Sequence, residues 1–314
     1  MQSRRDILIG AGLAGIAALA RPVTTAFAIA SQPRTAVNFE VPAGACDCHV
    51  HIIGDARQFP FAASRIYTPE TASVAELRSL HRALHIDRVV VVQATVYGAD
   101  NSCVLDAIKQ IGPGARGIAV LSDTTSSAEL DEMHRGGIRG IRIHFEETNP
   151  FDPALARQRL KSALERIKGR KWHAEIVASS WREVEAVRDE VTASAEPVSF
   201  DLGVLTLSPV DPHGFKTLQG LLRSGKAYVD IAGPYNDPDY GRITKPLIAA
   251  NPQRITWGSN WPHVARFPGR KITEISPLAQ VDDGSDLNRL GEWTTGAAQR
   301  KLILVENPAR LYGF

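Results

Sequence analysis

The stretch Ala-Cys-Asp-Cys-His-Val-His-Ile at residues 45–52 is the first of eight short strand-like runs that alternate with amphipathic segments of helical length. The other runs span residues 88–93, 117–121, 140–145, 173–178, 197–202, 227–233 and 254–257. The clearest helical segments span residues 71–84, 126–135, 153–168, 180–191 and 214–224. Eight such units are typical of a closed barrel, and no glycine-rich phosphate loop follows the first strand. The sequence therefore predicts one α/β domain at residues 43–314, a (β/α)8 TIM barrel.

Length and composition fit such a domain. The chain has 314 residues, of which 44% are hydrophobic and 22% charged. These proportions are ordinary for a globular protein and exclude a disordered or collagen-like chain. The three cysteines, Cys46, Cys48 and Cys103, do not have the number or spacing of a disulfide framework or a thiolate metal site.

The N-terminus has the features of an export signal. Arg4 and Arg5 precede an apolar run at residues 7–20, and Ala26-Phe27-Ala28 is a typical cleavage site. The arginine pair resembles a twin-arginine signal, so we expect residues 1–30 to direct the chain through the twin-arginine export machinery to the periplasm. The apolar run is too short for a stable membrane anchor. Loss of residues 1–28 removes three arginines and one aspartate from a chain of net charge +2, so the mature protein is formally neutral and nucleic-acid binding is disfavoured.

A histidine pair ends the first predicted strand, in the sequence Asp47-Cys48-His49-Val50-His51. Side chains two residues apart on a strand face the same way, so His49 and His51 are expected to point together into the mouth of the barrel. There they could hold one metal ion or one oxyanion, although histidines in this position could also be core residues. His81 and His85 lie four apart on a predicted helix and are interpreted as packed or solvated. His173 begins a strand, where a barrel residue serves stability.

A second motif, Gly-Ser-Asn-Trp-Pro-His at residues 258–263, follows the eighth predicted strand. Together with the histidine pair it resembles the amidohydrolase-related family of TIM-barrel enzymes. More narrowly, the chain is similar to the group of 2-pyrone-4,6-dicarboxylate lactonases and the galactarolactone isomerase. The resemblance extends over nearly all of the mature chain. It includes Tyr67-Thr68-Pro69, Gly140-Ile141-Arg142 and the C-terminal sequence at residues 307–314.

The resemblance implies a hydrolase that opens a lactone of a sugar acid or related small carboxylic acid, with His49 and His51 polarising the carbonyl. Two positions depart from the lactonase pattern. Asn260 stands where the lactonases have an aspartate that resembles a general base, and Asp201 stands at about the position of a strand-six histidine. An amide cannot accept a proton near neutral pH. We therefore hypothesise that Asp201 takes the proton while Asn260 positions the substrate.

Two alternatives remain open. The galactarolactone isomerase also has asparagine in this motif, and an isomerase needs no activated water, because a substrate hydroxyl attacks the ring carbonyl. That isomerase, however, lacks the paired histidines. The other alternative is a catalytically silent barrel that binds a sugar-acid ligand.

The cofactor and substrate predictions follow from the same comparison. His49, His51 and Asp201 would form a two-histidine, one-carboxylate site for a single Zn²⁺-like ion. The resembling lactonases are thought to work without metal, so the prediction is either no cofactor or one divalent ion.

The predicted partner is a small lactone, and the sequence makes no prediction of oligomeric state. Arg142 is expected to anchor a carboxylate, and Tyr67, Thr95 and Tyr235 to hydrogen-bond a hydroxylated ring. Other arginines of the lactonase pocket align with Val204 and Asn236, so we expect a substrate with at most one carboxylate.

Overall fold

A computed structural model of the protein describes residues 30–145, 151–205, 210–233, 239–264 and 269–314. The predicted signal segment, apart from Ala30, lies outside these ranges and stays a prediction. In the part that is described, no helix is both long and apolar enough to cross a membrane.

Eight parallel strands form one sheet that curves into a barrel. Its strands, in spatial order, are β1 (Cys46–Val50), β3 (Arg88–Val92), β4 (Ala115–Ala119), β5 (Ile138–His144), β6 (His173–Val177), β7 (Val198–Asp201), β8 (Ala227–Ala232) and β9 (Ile255–Gly258). Two backbone hydrogen bonds close the barrel between the end of β1 and the loop after β9. The Asn260 amide donates to the His49 carbonyl at 2.8 Å, and the His51 amide donates to the Trp261 carbonyl at 2.8 Å. The predicted TIM barrel is confirmed, with each of the eight predicted strands in place and only its ends shifted.

Helices alternate with the strands and cover the outside of the barrel. They are α1 (Val74–Leu84), α2 (Ser102–Ile111), α3 (Ser127–Arg135), α4 (Pro153–Ile167), α5 (Trp181–Ala186), α6 (Arg188–Ala193), α7 (Leu202–Leu205), α8 (Pro212–Arg223), α9 (Gly241–Ala250), α10 (Asp283–Trp293), α11 (Ala297–Lys301) and α12 (Asn307–Tyr312). The segment predicted at 180–191 is two helices, because the backbone leaves helical geometry at Val187 (φ −103°, ψ 6°). Capping boxes at Ser73 and Ser126 begin α1 and α3.

A small second sheet lies outside the barrel. Strand β2 (Thr68–Pro69) pairs in parallel with β10 (Ile275–Ser276). These strands belong to the connections after β1 and β9, so the sheet joins two loops on the C-terminal side of the barrel. Strand β10 lies in the connection between β9 and α10.

An irregularity in β1 decides where its side chains point. Cys46 and Cys48 pack inside the barrel with Val90, Val92 and Ile118. The pairing register between β1 and β3 then shifts between Asp47 and Val50. A β-bulge inserts a residue and re-aims the side chains that follow it. As a result the consecutive side chains of Cys48 and His49 both face the interior of the barrel.

The N-terminal end of β6 carries His173, whose ring is fully buried. Its Nδ1 atom donates a hydrogen bond to the Arg139 carbonyl at 2.9 Å, and the ring packs edge-on against Tyr312. Burial lowers the pKa of His173 to about 4, so the ring is neutral near pH 7. A Cβ atom on Gly140 would lie 2.2 Å from the Cε1 atom of this ring. His173 is therefore a packed structural residue that requires glycine on the neighbouring strand.

We predict that Gly140→Ala lowers the free energy of unfolding by about 1–3 kcal/mol, because the confined imidazole cannot yield to the added methyl group. Denaturant titration followed by circular dichroism measures this change. Gly220→Ala is the matched control, since a Cβ at this helical glycine meets nothing within 4 Å. Equal unfolding midpoints for the two variants would contradict the prediction.

Candidate functional site

Arg142 lies at the centre of the barrel mouth, surrounded by side chains from three other strands. Its Nη2 atom donates to Asp201 Oδ2 at 2.8 Å, and its Nη1 atom donates to His49 Nε2 at 3.2 Å. Its Nε atom lies 3.6 Å from Glu175 Oε1. Arg142 is 8% exposed, and the other three residues are more deeply buried. A buried charge requires close partners of opposite sign, and Arg142 has two carboxylates.

His49 is held in one tautomer by the groups on its two ring nitrogens. Its Nδ1 atom lies 3.1 Å from Asp230 Oδ2, an acceptor, whereas its Nε2 atom faces the Arg142 guanidinium, which can only donate. The proton of the neutral ring is therefore on Nδ1, and Nε2 carries the lone pair. Thr256 Oγ1 donates to the other Asp230 oxygen at 2.8 Å and fixes that carboxylate.

The surrounding charges make His49 more basic. Burial by itself would lower the pKa of the imidazole, but the negative charge of Asp201 and the hydrogen bond to Asp230 outweigh it, and the pKa is raised above its ordinary value. A carboxylate behind Nδ1 and a basic Nε2 directed into a cleft are the features of a histidine that can accept a proton.

His51 lies beside His49, with the two ring centroids 5.1 Å apart and the rings edge to face. Its Nδ1 atom donates to the Val92 carbonyl at 2.9 Å. Burial, His49 and Arg142 lower the pKa of His51 well below its ordinary value, so the ring is neutral. The structure thus brings the two histidines together at the mouth, as the sequence predicts.

Asp201 and Glu175 differ in how their carboxylates are satisfied. Asp201 Oδ1 accepts the Gly203 amide at 2.7 Å, and Oδ2 accepts Arg142. Neither oxygen of Glu175 has a hydrogen-bond partner in the described part of the chain. Burial, partly offset by the charge of Arg142, raises the pKa of Glu175 to about 7.

Asn260 lies in the loop of residues 258–263, on the rim of the mouth. Its backbone has a φ of 61°, a left-handed conformation that asparagine and aspartate adopt more readily than most residues. The loop is attached to β1 by Asp47, whose Oδ1 accepts the Ser259 amide at 2.9 Å. Asp47 Oδ2 lies 3.3 Å from His81 Nε2, so His81 packs against β1 and supports this attachment.

The predicted substrate-binding residues fall in three places. Arg142 is at the centre of the mouth. Tyr67 and Thr95 lie together in the loops after β1 and β3, with their hydroxyl oxygens 3.4 Å apart. Tyr235 and Asn236 lie outside the described residues, as does the side chain of Val204. The roles expected of those residues therefore stay predictions.

Glu175 and Asp230 are site residues that the sequence reasoning missed. Each is a single acidic residue within an apolar strand, in His-Ala-Glu-Ile-Val and Ala-Tyr-Val-Asp-Ile-Ala respectively. A carboxylate is rarely buried in a strand without a partner, and this pattern was the available signal. The identity of the partners, His49 and Arg142, depends on strands distant in sequence.

One family model and several named proteins match most of this chain. A family model described as amidohydrolase matches residues 46–314. A Comamonas testosteroni protein named 2-pyrone-4,6-dicarbaxylate hydrolase is 33% identical over 296 residues, which cover 87% of this chain and 92% of that protein. A Rhizobium radiobacter protein named 4-sulfomuconolactone hydrolase is 30% identical over 297 residues, covering 88% and 92%. A D-galactarolactone isomerase of Agrobacterium fabrum is 24% identical over 293 residues, covering 88% and 94%.

The predicted metal site differs from the arrangement that the structure shows. Ligand atoms of His49, Glu175 and Asp201 lie within 4.8 Å of one another, so the third member of this trio is Glu175. His51 is outside the trio, and its Nδ1 atom is bonded to the Val92 carbonyl of β3. The donor types suit a Zn²⁺-like ion, but the Arg142 guanidinium already bonds or faces all three residues. A guanidinium cannot lose its charge, so a divalent ion does not fit the trio while Arg142 is in place.

We predict that Arg142→Ala binds one Zn²⁺ per chain at the trio and that the unaltered protein does not. Removal of the guanidinium leaves the acids without a countercharge, and a metal ion then restores it. Metal content after gel filtration and the shift of the melting temperature with added Zn²⁺ are the two measurements.

Arg166→Ala is the control, because Arg166 bonds the carbonyls of Ser122 and Thr125 and none of the trio. Stoichiometric zinc in the unaltered protein, retained through gel filtration, would show that the trio and Arg142 accommodate the ion together.

Proposed function

Because the chain belongs to the amidohydrolase family, we propose that this enzyme is a lactone hydrolase in which His49 activates the attacking water. The relatives support a lactone as substrate. Two of them carry the names of hydrolases, of a pyrone dicarboxylate and of a sulfomuconolactone, and the third is named as a lactone isomerase. All three cover most of this chain.

The environment of His49 supports hydrolysis without an acidic residue at position 260, because it provides a base. Hydrolysis requires a base, and the aspartate that resembles the base of the lactonases is replaced by Asn260. The Nδ1–H group of His49 is held by Asp230, and its lone pair on Nε2 is directed into the mouth. The proton-accepting role is better supported for His49 than for Asp201, whose two oxygens already accept from Gly203 and Arg142.

In the proposed reaction a water molecule takes the place of the Arg142 N–H group at His49 Nε2. His49 removes one proton from this water as its oxygen attacks the lactone carbonyl carbon. The carbonyl oxygen becomes an oxyanion, which the Arg142 guanidinium stabilises by charge and hydrogen bonding. The bond between the carbonyl carbon and the ring oxygen then breaks, and the ring oxygen takes the proton from His49. The product is the open-chain hydroxy acid.

The other mouth residues hold the substrate. Asn260 can donate and accept hydrogen bonds at the rim, and Tyr67 and Thr95 present hydroxyl groups from neighbouring loops. Tyr235 keeps its proposed role as a ring-binding residue. Arg142 contacts the Nε2 atom of the proposed base, so we assign it a role at the reacting carbonyl in place of the carboxylate anchoring expected from the sequence. We propose a substrate with at most one carboxylate.

Lactone isomerisation is the second candidate, and Asn260 is the observation that favours it. In that reaction a hydroxyl group of the substrate attacks the carbonyl, and His49 would remove the proton from this hydroxyl. Hydrolysis and isomerisation therefore differ in which oxygen is positioned at His49 Nε2.

Proton NMR with a panel of aldonolactones, aldarolactones and pyrones tests the proposal. We expect open-chain acid to appear from a lactone with one carboxylate or none. A new lactone ring without acid would replace the proposal by isomerisation. Ligand-dependent thermal stabilisation with no turnover of any compound would indicate a binding protein, and efficient hydrolysis of the pyrone dicarboxylate would overturn the charge assignment.

We predict that Asp230→Asn lowers kcat about 10²- to 10⁴-fold, because the amide no longer holds the Nδ1–H tautomer or favours the imidazolium that forms. The base acts when unprotonated, so kcat/KM rises as the pH passes the pKa of His49. Asp230 raises that pKa, and its removal moves this limb of the pH profile to lower pH.

Initial rates between pH 5 and pH 9 provide the measurement. Asp106→Asn in α2 serves as the control, because this carboxylate bonds Gln110 and none of the site residues. An unchanged pH profile in Asp230→Asn would remove His49 from the role of base.

A further inference from the structure

The first described residues of the chain lie in the interior. Ala30 and Ser31 are each 1% exposed, whereas the residues that follow them run largely over the surface. The Ala30 amide donates to Glu76 Oε1 at 3.1 Å, and Gln32 Nε2 donates to the Glu76 carbonyl at 3.2 Å. We call residues 30–39 the N-terminal arm.

Ser31 connects the arm to the 258–263 loop through two contacts. Trp261 Nε1 donates to the Ser31 carbonyl at 3.0 Å. The Ser31 hydroxyl donates to Asp283 Oδ2 at 3.3 Å, and the other oxygen of Asp283 lies 2.8 Å from His263 Nε2. The side chains of Trp261, His263 and Asp283 are fully buried. Hydrogen bonds in a buried site hold their partners in defined positions, because an unpaired buried polar group would lower the stability of the fold.

The rest of the arm is attached to helix α10. Asp282 accepts hydrogen bonds from the backbone amides of Arg34 and Thr35 and from the Thr35 hydroxyl. Asn288 accepts the Asn38 amide and donates to the Ala36 carbonyl. The arm passes so close to the helix that a Cβ atom on Gly284 would lie 1.9 Å from the Thr35 carbonyl oxygen.

The 258–263 loop has an uncommon backbone conformation, which contacts with neighbouring residues hold in place. Asn260 and His263 both have left-handed backbone conformations, with φ of 61° and 62°. The His263 amide donates to the Asn260 carbonyl at 3.0 Å, so the two residues form one turn. Residues held in uncommon conformations persist when surrounding contacts determine them. Asp47 supplies such a contact at one end of the loop, and the arm supplies contacts at the other end.

We propose that the N-terminal arm is a positioning element of the active site, which acts through Ser31, Asp283, Trp261 and His263 to place Asn260 at the mouth. Its functional part rests on the proposed role of Asn260 in holding substrate. The arm does not touch the reacting groups. The predicted cleavage site after Ala28 leaves the arm complete, so an exported chain would retain this element.

Gly284→Ala in the full-length protein tests the arm. The added methyl group collides with the Thr35 carbonyl and displaces the arm, while alanine favours the helix that carries it. We expect kcat/KM on the lactone identified by NMR to fall about 10- to 100-fold, mainly through a higher KM, because substrate positioning is lost while His49 and Arg142 are kept. Gly220→Ala is the matched control, in a helix where the methyl group meets nothing within 4 Å.

Backbone hydrogen exchange provides a readout that needs no substrate. We expect faster exchange of the amides of the 258–263 loop in Gly284→Ala and unchanged exchange there in Gly220→Ala. If no lactone is turned over, the proposed function fails and this measurement still tests the arm. Unchanged exchange in the loop would overturn the proposal. Faster exchange with unchanged KM and kcat would overturn its functional part.

Ser31 variants keep the test decisive if Gly284→Ala does not fold. Ser31→Ala removes the hydroxyl group that bonds Asp283 and keeps the carbonyl that bonds Trp261, whereas Ser31→Thr keeps both. We expect Ser31→Ala to raise KM and loop exchange, and Ser31→Thr to restore both toward the unaltered protein. Equal behaviour of the two variants would contradict a positioning role for the hydroxyl group.

Discussion

A single buried guanidinium holds the mouth of this barrel together. Arg142 extends from β5 and meets His49 from β1, Glu175 from β6 and Asp201 from β7. Each acidic residue by itself would be costly to bury, and so would the arginine. Because the cation cannot be neutralised, its removal would leave like charges close together. The same constraint argues against a divalent ion among these donors, since a side chain of the protein occupies the space between them.

The guanidinium also determines what His49 can do. A donor at Nε2 and a carboxylate at Nδ1 leave the neutral ring with one arrangement of its proton, and Thr256 fixes the carboxylate. The sequence suggested a histidine that donates to a carbonyl oxygen and an aspartate that accepts a proton. The contacts of these residues favour a different assignment of roles, in which His49 accepts the proton and the Arg142 cation stabilises negative charge. The loss of an acidic residue at Asn260 is then compatible with hydrolysis.

The outer parts of the site depend on contacts that close the barrel. The end of β1 and the loop after β9 are joined by backbone hydrogen bonds, by Asp47 beneath them and by the N-terminal arm beside them. These contacts connect residues from opposite ends of the chain. A change far from the reacting groups can therefore alter where Asn260 stands. His81, interpreted from sequence as a packed or solvated helix residue, supports Asp47 in this arrangement.

The sequence by itself determined the eight strands, their order and the residues at their C-terminal ends, because strand periodicity and turn chemistry are local. It also predicted His49, His51, Arg142, Asp201 and Asn260 as candidate site residues, since they lie in or beside recognisable motifs. Only the tertiary structure decided which of these side chains meet. The bulge in β1 turns His49 inward, and Glu175 and Asp230 acquire partners from strands up to 181 residues away. The protonation and role of a buried polar group depend on those distant partners, which no local pattern encodes.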